Sequence, residues 1–160
     1  KLRNPMLVII PMVIMAVFML IAERIGKRTR QQNKMTYKDY IIIGLAHAMA
    51  LFPGVSRSGA TITAGLFLDL DRAAAARFSF LMSTPIIIGA AMLQFYKEFL
   101  KTGTAGLDMG VFVAGFLVAA ISGYAAIKFL MNYLQKRSLT AFAIYRIIFA
   151  IFVLLVYRPH

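Results

Sequence analysis

The sequence predicts an all-α polytopic membrane protein with four spans and one re-entrant helical hairpin, a pattern open to being one half of an inverted-repeat fold. Two observations carry that class. Of the 160 residues, 61% are apolar and 15% charged, too greasy a balance for a soluble domain. The charges also fall in short clusters between uncharged stretches of about 17–19 residues, the length a helix needs to cross the hydrocarbon layer. The charge balance adds a partner class: 18 Lys and Arg against 6 Asp and Glu give a formal net charge of +12. A nucleic-acid module needs a continuous cationic face, whereas these basic residues punctuate apolar runs. The expected anionic partner is therefore membrane lipid or a lipid-borne phosphate, and no nucleic acid is expected. No Cys and only two His with six scattered acids remove thiol chemistry and leave little from which to build a metal cluster.

The first predicted span covers residues 5–23, where Pro5 to Ala22 is uncharged and, as a helix, about 27 Å long. The chain opens on Lys1 and shows no cleavable leader pattern, which suggests a start partway into a larger protein. Residues 24–39 form a basic loop carrying Arg24, Lys27, Arg28, Arg30, Lys34 and Lys38. A loop so short and basic is expected to stay cytoplasmic, against anionic headgroups. Residues 40–68 are apolar but interrupted at Pro53-Gly54, and the run after Arg57 is too short to cross unaided. They predict a re-entrant hairpin, and irregular backbone at membrane depth marks a pocket.

Asp69 or Asp71 is the expected N-cap of the next helix, which spans residues 74–97 and contains Pro85. A third span at 108–130 carries Gly110, Gly115, Ala119 and Gly123, small residues that permit close helix contact. The last, 139–157, contains a single charge, Arg146. If residues 40–68 dip in and return, the basic loop, the 69–77 turn and Lys136-Arg137 share one side, while Lys97, Glu98, Lys101 and Asp108 fall on the other. The positive-inside rule favours that arrangement over a full crossing.

The chemistry concentrates in Phe52-Pro53-Gly54-Val55-Ser56-Arg57-Ser58-Gly59-Ala60-Thr61. Pro and Gly open the backbone, the following helix offers unpaired N–H groups and a positive dipole end, and Arg57 can make paired hydrogen bonds to phosphate oxygens. Ser56, Ser58 and Thr61 can donate further bonds, and Gly59 lets a ligand approach the backbone. The pattern is not a P-loop. Against the anion-binding reading stands a structural one, in which Arg57 snorkels or pairs internally and the serines cap a short helix. Arg146 is equally open to binding substrate or packing on a helix break. His47 is a candidate proton carrier, with a satisfied buried His as the plainer reading.

The segments LAHAMALFPGVSRSGATITAG, RAAAARFSFLMSTPIIIGA and AFAIYRII, in this order and spacing, resemble the second half of the undecaprenyl-diphosphatase family, also called bacitracin-resistance proteins, over essentially all 160 residues. The resemblance implies a hydrolase of the bacterial inner membrane. Such enzymes convert undecaprenyl diphosphate to undecaprenyl phosphate and inorganic phosphate, recycling the lipid carrier of cell-wall assembly and conferring bacitracin resistance. It implies two inverted repeats, each with a re-entrant hairpin, around a pocket open to the periplasm. Carried over by motif, Ser56 and Arg57 are the catalytic, phosphate-contacting residues, while Ser58, Gly59 and Thr61 shape the same cradle. His47 and Arg146 are secondary candidates; family members usually have Gln where this chain has His47.

The family's first-half segment, of the form ExxxEFLPVSSTGH, is absent from these residues. The resemblance thus implies half a catalytic centre, inactive alone, with an N-terminal half, truncated or separately encoded, as partner. Undecaprenyl diphosphate is the expected substrate, and a homodimer is left open. No cofactor is expected on this chain by itself; Mg²⁺ or Ca²⁺ would be held by the first-half glutamates. The competing class is a polyprenyl-phosphate transporter or flippase, since broken helices also suit alternating access. A third is a non-catalytic half-protein.

Overall fold

The computed structural model describes residues 6–97 and 109–156. Pro5, Glu98, Lys101, Asp108 and Tyr157, which the sequence assigns to span ends or to the side opposite the basic loop, lie outside the described residues. Every regular element among those described is helical: α1 (Met6–Ile25), α2 (Tyr37–Ala48), α3 (Arg57–Phe67), α4 (Arg72–Phe95), α5 (Met109–Lys136) and α6 (Thr140–Val156). Single turns of tighter helix occur at Gln32–Lys34 and Met49–Leu51. Three helices, α1, α4 and α5, are long and apolar enough to cross a membrane. The fourth expected span, 139–157, forms α6, a shorter apolar helix of 17 residues.

The helices form where the uncharged runs lie, and polar caps set their ends. Helix α2 begins at Tyr37, ahead of the expected start at 40, because Thr36 caps it: the Thr36 N–H and hydroxyl donate to Asp39 Oδ2 at 2.6 and 3.0 Å. In the same way Asp71 starts α4 two residues before 74: its Oδ1 accepts from the Ala74 N–H at 2.7 Å. Helices α1 and α4 continue unbroken through Pro11 and Pro85.

Two compact units divide the described residues, with boundaries after Ser79 and before Leu134. The first holds α1, α2, α3, the start of α4, the end of α5 and α6. In it α1 packs on α3 and α6, and α2 packs on α3, around buried Ala16, Ala22, Ile43, Leu66, Leu134 and Ala143. Small residues set the spacing. A Cβ added to Gly65 would lie 2.8 Å from the Ala75 Cβ, and one on Gly26 only 2.6 Å from the Leu66 carbonyl oxygen. The second unit, Phe80 to Tyr133, contains the rest of α4 and most of α5. In it Gly115 and Gly123 face open space, with no described atom within 4 Å of an added Cβ.

Polar contacts knot one end of the first unit. Glu23, buried at the end of α1, accepts from Arg72 Nε at 2.8 Å and from Arg72 Nη2, and its Oε2 accepts from the Leu139 N–H at 3.3 Å. Arg30 donates to Asp39 at 3.1 and 2.6 Å and to the Leu68 carbonyl at 3.0 Å. Its backbone pairs with the α3–α4 turn, receiving from Asp71 N–H at 2.8 Å and donating to the Asp69 carbonyl at 2.9 Å. The Arg30 hydrogen bonds hold the Asp39 carboxyl down at about 2, against burial, and Asp39 in turn raises Arg30. The end of α1, the basic loop, the α3–α4 turn and the start of α6 thus meet. Helices α2 and α3 leave from and return to this end.

Candidate functional site

The opposite end of α2 and α3 carries the Pro-Gly break. Gly54 has φ +90°, and its Cα lies so close to α1 that an added Cβ would stand 2.1 Å from the Val8 carbonyl oxygen. Only glycine combines that conformation with that approach. The break delivers Ser56 in extended conformation as N-cap of α3, where its Oγ accepts from the Gly59 N–H at 3.2 Å. The Ser58 hydroxyl is 3.4 Å from Ser56 Oγ. With Gly59 N–H used by the cap, the first-turn N–H groups of Arg57 and Ser58 have no intrahelical acceptor.

Arg146, from the middle of α6, comes to this helix end. A Cβ placed on Gly59 would stand 2.8 Å from Arg146 Nη1 and 2.9 Å from Nη2, so the guanidinium occupies the space that a side chain at 59 would fill. Its Nη1 is buried and has no hydrogen-bond partner among the described residues. A guanidinium beside the positive end of a helix dipole is doubly unfavourable without an anion. Arg57, at the first helical position, is exposed and carries neither ion pair nor side-chain hydrogen bond among the described residues. The described acids, Glu23, Asp39, Asp69 and Asp71, belong to the other end of the hairpin, about 16 Å away along α3. The site therefore has two cations, two hydroxyls and free backbone N–H groups, with no neutralising carboxylate among the described residues.

The structure thus brings Ser56, Ser58, Gly59 and Arg146 together, with Arg57 on the same helix turn. Thr61 faces elsewhere. It is fully buried, its hydroxyl donates to the Arg57 carbonyl at 2.9 Å, and it lies 2.6 Å from the Ser79 hydroxyl of α4. His47 sits in the last turn of α2, half-buried, its Nδ1 buried and unpartnered. Among the described residues no His, Asp or Glu hydrogen-bonds to Ser56, so none of them activates it as a nucleophile. Among the described residues no group of three or more His, Cys, Asp or Glu stands close enough to hold a metal ion.

A family model for the bacitracin resistance protein BacA matches residues 1–152. The chain belongs to that family. Curated relatives agree: the undecaprenyl-diphosphatase of Thermodesulfovibrio yellowstonii is 49% identical over 98% of this chain and 59% of its own length. Those of Rubrobacter xylanophilus and Moorella thermoacetica are 47% and 44% identical, over 90% and 97% of this chain and 53% and 58% of their own lengths. The chain spans about half the length of the relatives it matches. In this BacA-family chain, sequence reasoning placed the Ser56–Gly59 turn directly. It missed Glu23 as the residue that ties α1 to the start of α6 and so helps fix where Arg146 stands; its only sequence signal is an acid at the end of an otherwise apolar run.

Proposed function

We propose that these residues supply the phosphate-holding half of an undecaprenyl-diphosphatase, the complete protein hydrolysing undecaprenyl diphosphate to undecaprenyl phosphate and inorganic phosphate. One observation carries the reading: the buried, unpartnered Arg146 Nη1 set against Gly59 at the N-terminus of α3. A diphosphate placed there accepts from Arg146, Arg57, the Ser56 and Ser58 hydroxyls and the first-turn N–H groups. These donors neutralise the charge that builds on the phosphoryl oxygens as the bridging P–O bond breaks. Ser56 keeps its own proton to donate while its oxygen caps the helix. Thr61 acts through the backbone it holds, fixing the Arg57 carbonyl and docking α3 on Ser79. His47 lies on the adjoining helix end as a candidate proton carrier.

The attacking oxygen, from water or a first-half hydroxyl, and the base that takes its proton belong in this reading to the ExxxEFLPVSSTGH segment. These 160 residues alone are then expected to hold the headgroup without cleaving it. The cradle does not fit Mg²⁺ or Ca²⁺, because it offers two guanidiniums and no carboxylate, so no step is assigned to a metal here; either ion would be held by the first-half glutamates. The N-terminal half is the principal partner. A second copy of the chain would complete a homodimer.

The topology that suits this chemistry has four spans, α6 included, with α2 and α3 as a re-entrant hairpin, half of an inverted repeat. Support comes from the single knot that joins the basic loop, the α3–α4 turn and the start of α6, which puts the cationic segments at one end. By the positive-inside rule that end is cytoplasmic, and the pocket opens to the periplasmic face of the inner membrane. Phosphate release from undecaprenyl diphosphate by the complete enzyme tests the function. Arg57→Ala should lower the rate at least about a hundredfold with assembly intact, and normal turnover would remove Arg57 from the site. Movement of labelled undecaprenyl phosphate without hydrolysis would favour a flippase instead.

A further inference from the structure

A polar cleft lies at the knotted end, away from Gly59. It is an open cleft of about 630 Å³ whose polar lining is Gln31, Gln32, Asn33, Tyr40, Asp71 and Arg77, with Gln31, Asn33, Tyr40 and Arg77 exposed at its mouth. The Arg77 guanidinium makes no ion pair or hydrogen bond among the described residues, and neither do the side-chain amides of Gln31, Gln32 and Asn33 or the Tyr40 hydroxyl. Asp71 is the one acid in the lining, and only its Oδ1 is used, as the cap of α4.

The cleft's position limits what could fill it. It opens beside the first turns of α4, a helix long enough to span the bilayer, and so stands at headgroup depth when α4 crosses. The Tyr40 ring packs on Phe78 with centroids 5.4 Å apart. Beyond it on α2 the apolar side chains of Ile41 and Leu45 are exposed, and nothing lies within 4 Å of an added Cβ at Gly44. An open polar cleft with one cation and one carboxylate thus adjoins an apolar helix surface.

The geometry points to a phospholipid site in this cleft, selective for an ethanolamine headgroup: phosphate on Arg77 and the amides, ammonium on the free oxygen of Asp71, acyl chains along α2. Charge decides among headgroups. A purely anionic headgroup satisfies Arg77 but meets Asp71, and choline has no N–H to give the carboxylate, whereas ethanolamine matches both charges and donates three hydrogen bonds. The site is independent of the diphosphate cradle at the other end of the hairpin, about 18 Å away along α2.

Native mass spectrometry of the purified chain in detergent tests this. Dioleoyl phosphatidylethanolamine, phosphatidylcholine and phosphatidylglycerol are titrated separately and the retained lipid is measured. Phosphatidylethanolamine should be retained best, and Arg77→Gln should weaken it by about tenfold with unchanged melting, since Arg77 has no protein partner to lose. Asp71→Asn keeps the helix cap and should abolish the preference over phosphatidylglycerol. Equal retention of the three lipids, or wild-type retention by Arg77→Gln, would overturn the site. Displacement of the lipid by equimolar soluble O-phosphoethanolamine would overturn its assignment to a membrane lipid.

Discussion

Alanine at position 59 separates the stability of the hairpin from its chemistry. The new methyl carbon would lie 2.8 and 2.9 Å from the two terminal nitrogens of Arg146 and 3.2 Å from Cζ. To reach ordinary contact the guanidinium must retreat by about half an ångström or more. It can do so cheaply, because the clash falls on the far end of a flexible side chain and not on backbone. Position 59 is also helical, where Ala is favoured over Gly by up to about 1 kcal/mol. Gly59→Ala should therefore melt at or above the wild-type temperature. The same retreat takes Arg146 off the helix terminus. A hydrogen bond to a charged group contributes about 1.5–3 kcal/mol, and losing one in the transition state lowers kcat/KM by about 10- to 100-fold. The assay is inorganic phosphate release from undecaprenyl diphosphate by the complete enzyme, beside a thermal melt followed by circular dichroism. Wild-type kcat/KM in Gly59→Ala would refute the placement of Arg146 in the cradle, and activity lost only together with the fold would refute the separation.

Gly54→Ala should behave in the opposite way. Its positive φ, with the Val8 carbonyl oxygen standing where the new Cβ would go, combines a strained conformation with a backbone clash, and a loss of about 2–4 kcal/mol is expected in chemical denaturation. Acid should loosen the knotted end through Asp39. Its carboxyl is held at about 2, below its unfolded value near 3.9, so its contribution of about 2 kcal/mol is complete above the unfolded value and is lost as pH falls from about 4 through about 2. The melting temperature should drop over that window, and Asp39→Asn should be less stable at neutral pH and lose this part of the dependence.

How much of this was legible in the sequence varies from residue to residue. The helices were, because uncharged runs of membrane-spanning length leave the backbone little alternative. So was the turn at Pro53-Gly54 leading into Ser56, where local chemistry alone dictates a break, a cap and exposed N–H groups. The start of α2 was written in Thr36-x-x-Asp39, but the density of basic residues around it favours a loop reading when the pair is taken without Arg30. Thr61 shows where local reasoning stops. One helical turn beyond Arg57 it looks like part of the cradle, yet packing on α4 turns its hydroxyl toward Ser79. Arg146 is the reverse case: nothing local to AIYRII says what it faces, and its approach to Gly59 follows only from the packing of α6 on α1 and of α1 on α3.

The central claim is that the N-terminus of α3 and Arg146 hold a lipid-borne diphosphate, and equilibrium binding tests it without requiring turnover. Titrating the purified chain with undecaprenyl diphosphate should give saturable binding that Arg146→Ala weakens by about tenfold or more while the helix content is unchanged. Equal affinity in the wild type and in Arg146→Ala would contradict the account.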